Sequence, residues 1–257
     1  MSYRSCEPRL ARGLEVVPLT ERVIGGKAVY GASVGLLLLE ARFARIPGDG
    51  GNASTWPFPM LYKVVDSATP ERVVRGQARG LLEQFVAAGR ELIAMGADGI
   101  TTNCGFMVQH QAHLAEALQV PVAASSLLQV PAVQALLAPG QRVGIVTIDR
   151  SALTPELLHA AGAPADTPVA GTEQGQEFHR VLLGNELELD VAKARADVVS
   201  CACDLVDRHA DIGALVLECT NMPPYAADIQ AATGKPVYDF YSFVSWFQAG
   251  LAPRRFV

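Results

Sequence analysis

Charge, aromatic rings and long apolar runs are all scarce in this 257-residue sequence. Charged side chains make up 18% of it and aromatic ones 7%, and the formal net charge is −5. That balance excludes general nucleic-acid binding, which needs a basic face. The most apolar run, VGLLLLEA at 34–41, is far shorter than the roughly 20 residues that cross a bilayer, so no membrane segment is expected. The opening residues, MSYRSCEPRLARGLEVVP, carry charges where a signal peptide would have its apolar centre, and a cytoplasmic location is expected. Cysteine is present but odd in number and irregular in spacing: Cys6, Cys104, Cys201, Cys203 and Cys219. A disulfide framework is therefore not expected, and each thiol needs its own explanation.

What is there is half hydrophobic, at 50%, which is enough for a substantial core. After an N-terminal arm, 1–32, strand-like apolar runs alternate with helical patterns. Strands are expected at 33–41, 97–103, 120–124, 142–149, near 169, at 214–218 and at 236–238. Helices are expected at 70–95, 106–118, 126–137, 151–161, 190–208, 224–232 and 240–249. A Gly/Pro-rich loop, ARFARIPGDGGNASTWPFP, is long enough to suggest a functional role. Strand–helix alternation implies parallel βαβ units in a three-layer α/β architecture.

The order also repeats. The run 33–41 matches 142–149 in position, the strand ending at Cys104 matches the one ending at Cys219, and VPVAAS at 120–125 matches KPVYDF at 235–240. Two pseudo-symmetric lobes with mostly parallel sheets, 33–139 and 140–257, are expected, with the active site between them. The aromatic segment YDFYSFVSWFQ suits a helix packed in the core, on the first lobe or at a dimer interface.

Ligands in open α/β sheets bind beyond the carboxyl ends of the strands, where Cys104 and Cys219 both lie, each ahead of a helix. A helix N-terminus lowers a thiol's pKa. Two thiols facing each other across a small molecule could remove a proton from one face of a carbon and return it to the other. Asn103, Thr220 and Asn221 stand ready to support a thiolate or to hold a substrate carboxylate.

The segments ECTNMPPY and TTNCGF resemble the two cysteine motifs of the aspartate/glutamate racemase superfamily, and the resemblance extends over most of 33–245. It implies a cofactor-independent racemase or epimerase of a small carboxylate, an amino acid or derivative, with Cys104 and Cys219 as acid and base and no metal. It also implies that Gly105, Thr220 and Asn221 line the site, that Thr147 and Ser151 form a turn for the substrate carboxylate, and that the protein is a homodimer. Phe106 and the 42–59 loop, through Arg45 or Asn52, would set selectivity. The first motif departs from the usual Cys-Asn-Thr or Cys-Asn-Ser, because Asn103 precedes its cysteine and Gly105 follows it. The same scaffold supports two other readings: a decarboxylase or cis–trans isomerase, as in relatives resembling arylmalonate decarboxylase or maleate isomerase, and a non-catalytic small-acid binding protein.

Other groups read as structural. Cys201 and Cys203 are two apart on a helix and point in different directions. His110 and His113 lack a third ligand, and Gly48, Gly50 and Gly51 do not precede a helix as a phosphate loop would.

Overall fold

The six residues of VGLLLL form β1 (Val34–Leu39), and all but one are buried, as a run covered on both faces requires. The computed structural model describes residues 25–254 and 256. Cys6 and residues 1–24 of the expected arm lie outside the described residues. β1 pairs in parallel with β2 (Met60–Val65) and β3 (Gly99–Thr102), and β4 (Val122–Ala123) completes a sheet of order β2-β1-β3-β4. The second sheet has β5 (Arg142–Thr147), β6 (Val169–Gly171), β7 (Ile212–Leu217) and β8 (Val237–Tyr238) in the order β6-β5-β7-β8, again all parallel. The two sheets are therefore built to one plan, and each places a cysteine just past its third strand in chain order.

Nine helices cover these sheets among the described residues: α1 (Pro70–Val74), α2 (Leu82–Met95), α3 (Gln111–Leu118), α4 (Val130–Leu136), α5 (Pro155–Ala160), α6 (Phe178–Leu183), α7 (Val191–Arg208), α8 (Ala226–Thr233) and α9 (Phe240–Leu251). None is long and apolar enough to cross a membrane. Close packing of α2 on β1 depends on Gly35, where a Cβ would come within 2.9 Å of Ile100 and 3.0 Å of Leu92. α9 starts at a capping box made by Asp239 and Ser242, which fixes its first turn. It returns to the first lobe, where Phe240, Phe243 and Val244 pack with Val34, Leu36, Trp56 and Ala123.

The structure differs from the expected elements in three places. The helix expected over 70–95 is broken into α1 and α2, because Gln77, Ala78 and Gly80 all have positive φ and cannot continue a right-handed helix. β2 was not expected, since MLYKVV is an edge strand with mixed polarity and only partial burial. α6 was not expected either, because six residues are too few to show helical periodicity.

Candidate active site

The chain leaves β3 at Asn103 and then forms a 3-10 helix, Gly105–His110, with Cys104 as its N-cap. It leaves β7 at Glu218 and passes through Cys219 to a second 3-10 helix, Pro223–Tyr225. Both thiols end on one small cavity between the lobes, of about 30 Å³, which is room for one or two waters. Asn103, Gly105, Phe106, Thr220 and Asn221 line the same cavity, as do Arg45, Phe43, Glu218 and, on the far wall, Pro70, Val74, Leu182 and Leu183.

The lobes are tied together at this point. The Thr220 hydroxyl donates to the Asn103 carbonyl at 2.7 Å, and the Ser126 hydroxyl reaches the carbonyls of Leu217 and Glu218, each at 2.8 Å. The Asn103 side chain is also engaged, accepting from the Leu39 N–H at 2.7 Å at the end of β1. Thr220 thus holds the walls in place and its hydroxyl hydrogen is engaged, whereas Asn103 is anchored only through its oxygen and keeps its Nδ2 hydrogens as donors on a residue that lines the cavity.

Electrostatics at the cavity oppose ionisation of the thiols. Burial and the nearby Glu218 charge push the Cys104 thiol well above its usual range, against a single backbone N–H from Phe106. Cys219 is pushed up by the same two causes, with smaller additions from Cys104 and Asp49, against the N–H of Asn221. The symmetry is exact in register: each sulfur accepts from the N–H two residues on. Helix N-termini were expected to lower these thiols. Burial outweighs them, because the short 3-10 turns supply one N–H apiece while both sulfurs are almost fully covered.

The cysteines differ in their side-chain partners. The Cys219 thiol donates to Asn221 Oδ1 at 3.4 Å, and Asn221 Nδ2 donates to Asp49 Oδ2. Asp49 is buried and also accepts from Arg45 Nη1 at 2.9 Å, so it fixes which end of the amide faces the sulfur. That orientation suits a protonated Cys219. Among the described residues Cys104 has no such acceptor. Arg45 lies over the Phe43 ring at 4.6 Å and keeps further N–H groups beyond the one on Asp49.

Three expected site residues are not brought to the cavity. Asn52 caps the 3-10 turn Ala53–Thr55 and donates to the Arg45 carbonyl, so it shapes the loop. Thr147 donates to Glu218 at 2.8 Å from behind the cavity wall. Ser151 is bound to Asp149 at 2.5 Å, and Asp149 also meets His179 and Arg75. The two residues of the expected carboxylate-binding turn are therefore taken by carboxylates of the protein's own, Thr147 by Glu218 and Ser151 by Asp149.

Glu218 was missed by the sequence reading. Its signal was an acid inside the apolar run LVLEC, where a surface charge has no place. The long loop contributes Arg45 and Asp49 to the site, but nothing in its composition singled out Asp49. Among the remaining thiols, Cys201 donates to the Gly171 carbonyl at 3.3 Å, away from the cavity.

No protein-family profile matches the chain. Dimethylsulfoniopropionate lyase of Durusdinium sp. clade D is 28% identical over 227 residues, covering 85% of this chain and 75% of that protein. Dimethylsulfoniopropionate lyase 6 of Emiliania huxleyi (strain CCMP1516) is 31% identical over 218 residues, covering 80% of this chain; the chain spans only 56% of that relative's length. Among solved structures, arylmalonate decarboxylase matches with a TM-score of 0.56 at 16% identity, over 86% of this chain and 92% of that one. The Picrophilus torridus aspartate racemase matches with a TM-score of 0.55 at 14% identity, over 88% and 96%. The fold is that of the aspartate/glutamate racemase superfamily. The expected activity, however, is corrected: relatives along most of the chain are named lyases, not isomerases. The physical reason is that proton removal beside a carboxylate begins racemisation and elimination alike, and only the substrate's leaving group separates them.

Proposed function

We propose that this chain, with its racemase-superfamily fold, is a carbon–sulfur lyase acting on a small carboxylate with a sulfonium at the β-carbon, dimethylsulfoniopropionate being the substrate to test first. The observation that carries this reading is the likeness to dimethylsulfoniopropionate lyases over 80–85% of the chain. The cavity chemistry supports it.

Elimination needs one base. Cys104, as thiolate, takes the proton α to the carboxylate. The C–H electrons form the double bond, the β C–S bond breaks, and its electron pair leaves with sulfur. Sulfur departs as neutral dimethyl sulfide, so no acid is needed at the leaving group, and the unsaturated acid remains. The proton on Cys104 then returns to solvent. A positioned base of this kind contributes about 10²–10⁴-fold. The substrate's sulfonium favours the thiolate that burial and the Glu218 charge oppose. Arg45, stacked on Phe43, offers its unengaged N–H groups to the substrate carboxylate, and Phe106 offers its ring to the sulfonium. Cys219, held as a thiol by Asn221, shapes the opposite wall. A cytosolic, reducing setting keeps both thiols free, as they are here.

The test is direct. Purified protein is incubated with dimethylsulfoniopropionate, dimethyl sulfide is followed by gas chromatography and acrylate by proton NMR. Stoichiometric release of both is expected. Release of carbon dioxide from a malonate-type acid, with no sulfide from the sulfonium, would replace this reading with a decarboxylase.

A further inference from the structure

Glu218 is a buried acid that the elimination does not use. It is 1% exposed, and no lysine, arginine or histidine among the described residues pairs with it. Its carboxyl receives Thr147 Oγ1 at 2.8 Å and the backbone N–H groups of Ile148 and Gly105. It lies so close beneath the first cysteine turn that a Cβ on Gly105 would be 2.2 Å from Glu218 Oε1. One carboxyl group thus sits next to Cys219 in sequence and against the residue that follows Cys104. Two negative charges so close in a dry site repel strongly.

We propose that Glu218 and Cys104 share one negative charge, so that Cys104 becomes a thiolate only while Glu218 carries a proton. Glu218 is then a positioning residue. It acts through Cys104, setting the balance between two forms with the same proton count, carboxylate with thiol and carboxyl with thiolate. Cys219, the next residue, feels the Glu218 charge as Cys104 does but is held as a thiol by the Asn221 oxygen. Other charged or titratable groups lie on neighbouring elements: Asp49 and Arg45 on the loop, Asp149 beyond β5 with His179 and Arg75, Tyr225 on the second 3-10 helix, and His110 at the end of the first. Arg45 and Asp49 form a pair, and so do His179 and Asp149. Neither pair reaches the Glu218 carboxyl.

Sharing has a specific signature. The inactive carboxylate–thiol form and the active carboxyl–thiolate form arise together, so the amount of thiolate stops rising once the pair has lost its first proton. Burial places that loss near the Glu218 pKa, raised to about 7. The wild-type rate of Cys104 alkylation by iodoacetamide, read by mass spectrometry of the Cys104 peptide, should rise tenfold per pH unit and level off near pH 7. In Glu218→Gln it should match wild type at pH 6 and keep climbing, reaching about tenfold above wild type near pH 8. The kcat/KM profile for dimethyl sulfide release should change in the same way. Alkylation needs no substrate, so it still tests the shared charge if the lyase reading fails, and the inference rests on that reading only for its kinetic arm. A break that stays near pH 7 in Glu218→Gln, or a uniform loss at every pH, overturns the proposal. Should Glu218→Gln not fold, Thr147→Val removes a donor to the carboxylate and should move the wild-type break upward; an unmoved break there counts equally against it.

Discussion

Asp49 on the long loop of the first lobe accepts from the side-chain nitrogen of Asn221, which lies two residues past Cys219 on the second. This contact turns the Asn221 oxygen toward the sulfur and gives the two cysteines different chemistry. Releasing it should make Cys219 easier to ionise, since the amide can turn its nitrogen to the sulfur and a nearby negative charge is gone. In Asp49→Asn, alkylation of Cys219 at pH 8 should accelerate about tenfold, equivalent to about 1.4 kcal/mol. Peptide mass spectrometry checks this, and an unchanged rate would show that Asp49 does not control the amide.

The two thiols should also differ in kinetics. With Cys104 as the base, Cys104→Ser should lower dimethyl sulfide release by about 10³-fold or more. Cys219→Ser should cost far less, about tenfold, because it changes a wall and not the proton acceptor. Steady-state kinetics of both variants decide the assignment, and the reverse order would make Cys219 the base.

The pH dependence of stability follows from Glu218. Its carboxyl titrates near 7 in the folded chain against an ordinary 4.5, because burial penalises the charge more than its three hydrogen bonds relieve it. The folded state therefore holds the proton more tightly than the unfolded state does. The stability linked to that proton is fully present below pH 4.5 and falls as pH rises through 7, by about 3 kcal/mol in all. Urea titrations at pH 5 and pH 8 should show this loss in the wild type and a much smaller one in Glu218→Gln. Equal losses in both proteins would assign the effect to other groups.

Gly105 is required by the carboxyl beneath it. A Cβ there would lie 2.2 Å from Glu218 Oε1 and 2.6 Å from the Glu218 carbonyl oxygen, and the backbone oxygen cannot swing away. Gly105→Ala should destabilise the chain by about 1–3 kcal/mol and displace Cys104 from the cavity. Chemical denaturation together with a loss of Cys104 alkylation would confirm it. A variant of wild-type stability would mean that the two turns are free to separate.

How much of this was legible in the sequence depended on distance along the chain. The run VGLLLL and the strand before Cys219 declared themselves because a strand buried on both faces reads as continuous hydrophobicity. Their matched order predicted the paired sheets. The cavity was legible as far as the two cysteines, the residues beside them and Arg45 of the long loop. Asp49 and Asn221 are 172 residues apart, and no local pattern joins them. Thr147 was expected at the substrate only because the racemase resemblance implied a carboxylate-binding turn there, and here its hydroxyl is taken by Glu218. Glu218 itself was signalled by its place in the apolar run LVLEC, but which groups its carboxyl meets could be read only from the folded chain. The reaction was misjudged for a different reason, since two thiols at strand ends specify proton chemistry without specifying what leaves.

The bond from Thr220 to the Asn103 carbonyl has a mechanical meaning. With the Ser126 hydroxyl and the Gly50 N–H, which donates to the Thr220 carbonyl at 3.0 Å, it stitches the lobes beside the thiols, so this edge behaves as the spine of a book. Two further contacts join the lobes, the 3.7 Å ion pair of exposed Arg75 with Asp149 and the Arg42 N–H on Asn185. A chamber that admits a water or two must widen before any organic acid can enter, so a substrate has to loosen some of these fastenings before it reaches the thiols.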